Sequence, residues 1–454
     1  MDLVDLLPLV MFTSVAVLLF TGYPVAFVLG GVALFFGFIG AGFGVFKPIE
    51  FFNLLPRIWG GIAENLVLVA VPLFVFMGTM LERSDVAADL LRALQVLMRR
   101  VPGGLALAVT LMGTIMAATT GIVGASVVML TMMALPVMLE RRYSHELATG
   151  TIAAAGTLGI LIPPSIMLVI MADLLSLSVG NLFFGAVFPG LLLSGLYLLF
   201  IALFATLRPA SAPPMERDEG PADRSELVAL LLKSFLPPTF LIVLVLGSIF
   251  AGWATPTEAA AVGAAGTVLL AALNRRLTLA TLVEVCERTG LTCAMIFFIF
   301  IGATAFSYVF RSLGGDYVVE DLIAASGLES WGILLLIMFV VFILGFFFDW
   351  VEITLIVLPI FAPLLKALDF GDHVAKSELV YWFAILLAVN LQTSFLTPPF
   401  GFALFYMKGT CPPQVRLGEI YRGIVPFVIL QLIGLALCIA FPEIVLWLPR
   451  MLLD

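Results

Sequence analysis

The chain has 454 residues, of which 62% are hydrophobic and 11% charged, with a formal net charge of −8. A soluble globular chain is about 45–50% apolar and about 25% charged, so this composition excludes a water-soluble enzyme and describes an all-α polytopic membrane protein. No basic stripe with interleaved aromatics points to nucleic acid, and no phosphate loop, nucleophile elbow or metal-ligand cluster supports ATP-driven or hydrolytic chemistry.

In chain order, the opening MDLVDLLPLV carries acids where a signal peptide carries Lys or Arg, so the first apolar run is expected to be retained. Apolar runs that enter or cross hydrocarbon recur at 7–20, 23–40, 66–80, 182–204, 240–250, 295–310 and 424–441. Two amphipathic stretches, 47–66 and 277–290, are expected to lie flat in the interface and brace the protein. Segments 104–139 and 331–365 each contain two apolar arms of about 14–17 residues, short enough for re-entrant hairpins. Their tips are TTGIVGAS (119–126) and FFFDWVEIT (346–354). Each hairpin is followed by a helix-breaking stretch, GTLGILIPPS (156–165) and LQTSFLTPPF (391–400). Between the halves, RPASAPPMERDEGPADRSE (208–226) reads as an exposed linker. The four cysteines read as small membrane hydrophobes, and His145 and His373 form no catalytic pair.

The halves echo each other. Pro163 and Pro164 are answered by Pro398 and Pro399; Ser126, Thr131 and Pro136 by Asp349, Thr354 and Pro359. FVFMGTML (74–81) resembles FIFIGATA (298–305), and YPVAFVLGG (23–31) resembles TPTEAAAVG (255–263), in the same order. Arg99, Arg100, Arg141 and Arg142 flank the first hairpin and place its ends in the cytoplasm. Glu329, Asp369, Asp372 and Glu378, against Lys366 and Lys376, place the second hairpin's ends outside. Opposite topologies make this an inverted repeat of the kind secondary transporters use.

Irregular backbone at membrane depth survives only where protein encloses it or a polar cavity meets it. The breaks are therefore expected to form the binding site, against the alternative that the prolines merely kink two helices. Hydroxyls and carbonyls suit Na⁺, a hard cation that prefers oxygen, and the N-termini of half-helices favour an anion. Expected Na⁺ ligands are Thr120, Gly121, Gly124, Gly156, Thr157 and Gly159 in the first half, with Thr354 and Asn390 in the second. Expected solute contacts are Thr119, Ser126, Pro163, Ser165, Asp349, Glu352, Thr393, Ser394, Thr397 and Pro398. The glycines also read as close helix contacts, and Asn390 equally as a helix-stabilising amide. Asp349 and Glu352 could bind the ion, carry a proton or orient the solute, or be solvated at a wet tip. Glu258 reads as a charge at a helix N-terminus rather than a ligand.

GTLGILIPPS, GFFFDWVEITLIVLPIFAP and NLQTSFLTPPFGFALFY resemble the large membrane subunit of tripartite ATP-independent periplasmic (TRAP) transporters, over nearly the whole chain. The resemblance implies an elevator of the ion-transporter-superfamily type in the bacterial inner membrane, with Na⁺ as the coupling ion. The scaffold would be 1–103, 176–330 and 409–454, and the transport domain 104–175 and 331–408. It further implies two partners, a small membrane subunit and a soluble periplasmic binding protein, with a small organic acid as solute and lipid around the chain. DWVEIT carries one acid more than many members, which leaves H⁺ coupling open. A self-sufficient Na⁺- or H⁺-coupled dicarboxylate symporter is the alternative, although neither tip has the Ser-Asn-Thr triplet typical of one. A channel would want a continuous polar pore, and a membrane enzyme a reactive constellation.

Overall fold

A computed structural model of the chain describes residues 6–84, 86–120, 123–214, 224–365, 368–398 and 401–453. Among the described residues there are helices and connections and no strand. The N-terminal pair, α1 (Leu7–Leu19) and α2 (Val25–Gly42), is apolar all round, with Phe27, Phe35 and Phe38 turned outward as a lipid-facing helix requires. The first amphipathic stretch then forms a brace in short pieces: a 3₁₀ turn, α3 (Leu54–Ile58) and a π turn. Pro48, Pro56, Gly60 and Gly61 prevent one continuous helix there.

Next come α4 (Ala70–Arg83) and α5 (Val86–Met98), then the first hairpin, α6 (Gly104–Thr120) and α7 (Val123–Glu140). The first broken helix is α8 (His145–Thr157) and α9 (Ile166–Leu175), followed by α10 (Val179–Leu207). After the linker come α11 (Arg224–Phe250), α12 (Pro256–Leu273), α13 (Leu279–Ser312) and α14 (Gly315–Ser326). The second hairpin, α15 (Ser330–Leu344) and α16 (Trp350–Leu365), precedes the second broken helix, α17 (Leu379–Leu396) and α18 (Phe402–Thr410). Two helices, α19 (Leu417–Ala440) and α20 (Glu443–Leu453), complete the described chain.

One element differs from expectation. The stretch 277–290 is not a separate interfacial segment; it is the start of α13, a single helix of 34 residues. At 1.5 Å per residue that is about 51 Å, longer than a bilayer core. No proline interrupts the sequence, so amphipathic start and apolar span propagate as one helix. Glu258 meets expectation: Thr255 N–H donates to Glu258 Oε2 at 2.8 Å and Glu258 N–H to Thr255 Oγ1 at 3.3 Å, a capping box with Pro256 in the first turn.

Hydrogen bonds between chain-distant ends fix which end of each element lies on which face. Gly103 N–H donates to Ala212 O (3.0 Å) and Ser144 N–H to Ser211 O (2.9 Å), so both ends of the first hairpin meet the start of the linker. His145 Nδ1 lies 3.1 Å from Glu419 Oε2, which puts the start of α19 on the same face. At the far end of α19, His373 Nε2 is 2.8 Å from Ile439 O, and Trp382 Nε1 donates to Cys438 O at 3.0 Å. The second hairpin closes there, with Asp369 N–H donating to Ser330 Oγ at 3.1 Å. The two hairpins therefore enter from opposite faces, and the basic residues at 99–100, 141–142 and 208 mark the first face as cytoplasmic.

Packing separates the helices into two groups. In one, α13 lies against α2 and α4, and α12 against α4 and α11. In the other, α8 lies against α6, α7 and α19, while α17 contacts α10, α15 and α19. Here α10 and α19, which fall in segments read from the sequence as scaffold, pack on the hairpins and broken helices. Backbone contact holds α8 to α19: a Cβ on Gly150 would stand 2.1 Å from Gly423 O, and one on Gly423 2.2 Å from Glu146 O. At the centre, 89% of α17 is buried. We expect Gly150→Leu or Gly423→Leu to wedge α8 from α19 at a cost of about 1–3 kcal/mol. Thermal unfolding of the detergent-purified protein should show a clearly lowered midpoint; an unchanged one would dismiss this contact.

Candidate functional site

The first break is built from its prolines. After α8, residues Leu158–Ile160 make one 3₁₀ turn, and α9 starts only at Ile166. Pro164 has no N–H for the carbonyl four residues earlier, Ile160, and the Ser165 hydroxyl donates to that oxygen instead. Thr157 Oγ1 donates to Ala154 O at 2.9 Å. All of Gly156, Thr157, Gly159, Pro163 and Ser165 are buried, so this irregular backbone is enclosed by protein as hydrocarbon demands.

The first tip is tighter than its polar sequence suggests, because α6 continues through Thr120 and α7 begins at Val123. Thr119 and Thr120 close α6, Ser126 is buried in the first turn of α7, and Gly121 lies outside the described residues. Gly156 brings tip and break together, since a Cβ there would lie 2.5 Å from Val127 Cγ2 and 3.1 Å from its Cα. A Cβ on Gly124 would lie 2.7 Å from the ring of Tyr406, on α18 beyond the second break.

The second break begins later than expected. Thr393 and Ser394 are not in irregular backbone; they sit in the last turns of α17, which runs to Leu396. Pro398 deprives only the Ser394 carbonyl of its helical donor, and Thr397 N–H donates to that oxygen at 3.1 Å. Three hydroxyls bond back into the helix: Thr393 to Val389 O (3.3 Å), Ser394 to Asn390 O (3.1 Å) and Thr397 to Thr393 O (2.8 Å). Each oxygen keeps lone pairs for another partner. Asn390 Nδ2 donates to Met338 O at 2.7 Å, which fastens α17 to α15. Gly401 has φ +26°, and a Cβ there would lie 2.9 Å from Phe395 O, so the chain re-enters helix through a position that only glycine fills.

At the second tip Asp349 immediately precedes α16 and Glu352 lies in its first turn, 8% exposed. Trp350 N–H donates to Asp349 Oδ1 at 2.8 Å and Asp349 N–H to Glu352 Oε2 at 3.2 Å. Both carboxylates thus sit on the positive end of a half-helix and satisfy its orphan amides, beside a ring cluster in which Phe20 and Phe347 lie 4.7 Å apart. Gly345, just after α15, touches the second break, where its Cβ would stand 2.1 Å from Ser394 Cβ.

Two residues that sequence reasoning left unassigned join the halves. Tyr406, on α18 of the second half, fits against Gly124 of the first tip. Gln392 Nε2 reaches Thr157 Oγ1 at 3.4 Å, from the second broken helix to the first. The repeat offered a signal for this: the spacing that pairs Pro163 with Pro398 also pairs Thr157 with Gln392. Among the described residues, Gln392 Oε1 and Thr354 Oγ1 are buried without a hydrogen-bond partner. Thr131, the repeat mate of Thr354, instead donates to Val127 O at 2.6 Å. Gln392 Oε1, on the side chain that joins the two broken helices, is an open acceptor of the kind an oxygen-liganded cation uses.

Residues 12–444 match the family model of the tripartite ATP-independent periplasmic transporter, DctM component. The chain is 31% identical over 392 residues to the C4-dicarboxylate TRAP transporter large permease protein DctM of Pseudomonas aeruginosa, covering 86% of this chain and 88% of that protein. It is 28% identical to the sialic acid TRAP transporter large permease protein SiaM of Vibrio cholerae (96% and 97% covered). Identity to the ectoine TRAP transporter large permease protein TeaC of Halomonas elongata is 26% (97% and 98% covered). In fold it is similar to the YdaH transporter of Alcanivorax borkumensis, with a TM-score of 0.60 at 16% identity over 87% of this chain and 89% of that one. The chain belongs to the TRAP large permease family and is a multi-pass protein of the bacterial inner membrane.

The contact between second tip and second break is testable. Gly345→Ala should push the hairpin off Ser394, lower solute uptake by about tenfold and cost on the order of 1–3 kcal/mol. The double variant Gly345→Ala/Ser394→Gly should recover much of both losses in a double-mutant cycle. Additive effects would show that the two residues act independently.

Proposed function

We propose that this permease subunit imports a small organic acid together with Na⁺, as part of a complex with a small membrane subunit and a soluble periplasmic binding protein. The observation that carries the reading is the meeting of two oppositely inserted hairpins with two broken helices, joined by Gln392, whose buried amide oxygen has no partner among the described residues. Na⁺ is cargo here. Thr354 and Gln392 would supply oxygens to it, with Asp349 or Glu352 offsetting its charge. No Lys or Arg lies in either tip or break. The solute carboxylate is therefore held by the N-terminal ends of α9 and α18 and by the co-bound Na⁺. Such a site binds the anion well only when Na⁺ is present, which is the thermodynamic content of symport.

The moving body in this reading is larger than the hairpins and broken helices. The Gly150–Gly423 contact ties α19 to α8, and α10 packs on α17, so both would travel with it. The static body would be α2, α4 and α11–α13. Among the described residues, polar contacts that cross between the bodies include Asn65 Nδ2 donating to Asp173 Oδ1 at 2.7 Å and the Arg311 guanidinium donating to Pro359 O. An elevator step would break both.

The test is solute uptake by proteoliposomes holding this chain and its small subunit, with solute presented on its binding protein. Uptake should require both an inward Na⁺ gradient and the binding protein. Thr354→Val should raise the Na⁺ concentration for half-maximal uptake by about tenfold, the equivalent of about 1.4 kcal/mol. Asp349→Asn should lose most uptake while inserting normally. Transport of free solute by the chain alone would remove the partners, and Na⁺-independent uptake the coupling ion.

A further inference from the structure

A cavity of about 940 Å³ lies away from both breaks, between the brace and α13 on one side and α9 and α16 on the other. Its lining includes Arg57, Asp173, Ser176, Tyr308, Arg311 and Pro359. Ser178 N–H donates to Tyr381 OH at 3.4 Å, which puts the end of α9 beside the start of α17, on the face where the second hairpin enters. By the distribution of basic residues that face is periplasmic. The cavity is an outer vestibule at the boundary of the two helix groups.

Its charge is arranged unevenly. The Arg57 guanidinium stacks over the Tyr308 ring, 4.7 Å from the centroid, and Asn53 Nδ2 donates to Tyr308 OH at 2.9 Å. Stacking occupies the face of the guanidinium and leaves its in-plane N–H fork free. Among the described residues no carboxylate pairs with Arg57. Arg311 follows Tyr308 by three residues and shares its helix face. Pro363 has no N–H to offer the Pro359 carbonyl, so Arg311 reaches across to that oxygen, with Asp316 Oδ2 3.6 Å from its Nε. Asp173, the one carboxylate in the lining, already accepts from Asn65. Arg311 is thus matched by Asp316, whereas the Arg57 guanidinium faces the cleft with no carboxylate of its own among the described residues.

We propose that this vestibule is a reception site for small carboxylates, in which the Arg57 fork binds the carboxylate of the arriving solute. The proposal rests on the reading that the solute is an organic acid. It would give the anion a cationic stop outside the breaks, where no Lys or Arg is available, and it needs no Na⁺. A phosphate headgroup would satisfy the same fork, so the lipid must be controlled.

The experiment measures equilibrium binding of radiolabelled succinate, pyruvate and N-acetylneuraminate to the permease with its small subunit, in Na⁺-free nanodiscs of zwitterionic lipid. At least one probe should bind saturably. Arg57→Gln should weaken that binding by about tenfold or more, as expected for loss of a bidentate charged pair. Arg57→Lys, which keeps the charge without the fork, should weaken it less, and Tyr308→Ala, which removes the platform, should weaken it severalfold. Unfolding midpoints of each variant separate these losses from misfolding. No Na⁺-free binding of any probe, or equal binding by Arg57→Gln, would overturn the proposal. So would abolition of probe binding by phosphatidylglycerol in the nanodisc, which would assign the fork to lipid. Uptake measured in parallel keeps the readings apart: Na⁺-independent uptake sinks the coupling ion and leaves the vestibule standing, whereas Na⁺-driven uptake without Na⁺-free binding does the reverse.

Discussion

A backbone amide or carbonyl cannot be left bare in hydrocarbon, and the rest of this structure follows from that constraint. Two proline pairs force the chain to abandon helix at membrane depth, so both breaks have to be enclosed. The enclosure comes from α17, which is almost wholly buried, and from the hairpin tips laid over the breaks. Gly156 against Val127 and Gly345 against the Ser394 side chain let the tips close where any added side chain would hold them away. Two of the carbonyls the prolines release are reclaimed locally, Ile160 by the Ser165 hydroxyl and Ser394 by the Thr397 amide.

Electrostatics at the second tip obey the same economy. Two acids side by side at membrane depth repel each other and lose hydration. Placing them at the start of α16 gives each an amide donor and the positive end of a helix. That arrangement holds the carboxylates in place without a basic residue, so a mobile cation can still be attracted. A resident Arg or Lys would have neutralised the tip permanently.

Much of this was legible in the sequence because it rests on local chemistry. Short apolar arms, double prolines, the Thr255–Glu258 cap and the arginines beside the first hairpin each report a nearby physical demand. The errors share a cause as well. Thr393 and Ser394 read as irregular because hydroxyl-rich sequence looks unlike helix, yet a proline disturbs only the turn before it. The start of α13 read as a separate segment because amphipathicity describes which face is wet, not where a helix ends. Tyr406, Gln392 and the attachment of α10 and α19 depend on partners far away in the chain, and a single sequence with no alignment does not state who meets whom.

The Thr157–Gln392 bond locates the axis of the duplication. The two residues are 235 positions apart, the same spacing that separates Pro163 from Pro398. A residue can touch its own repeat mate only where the pseudo-twofold axis passes between them, so this bond marks the centre of the molecule. Around that axis the halves have ceased to be equivalent. Ser126 in the first half corresponds to Asp349 in the second; Thr131 spends its hydroxyl on its own helix, whereas Thr354 leaves its oxygen open. Even at the axis a threonine faces a glutamine whose carbonyl oxygen is unused. The duplication supplied two similar breaks in opposed directions, and divergence placed the two tip carboxylates, Asp349 and Glu352, in the second half alone. The axis therefore separates two halves that share a backbone plan and differ in the side chains they present.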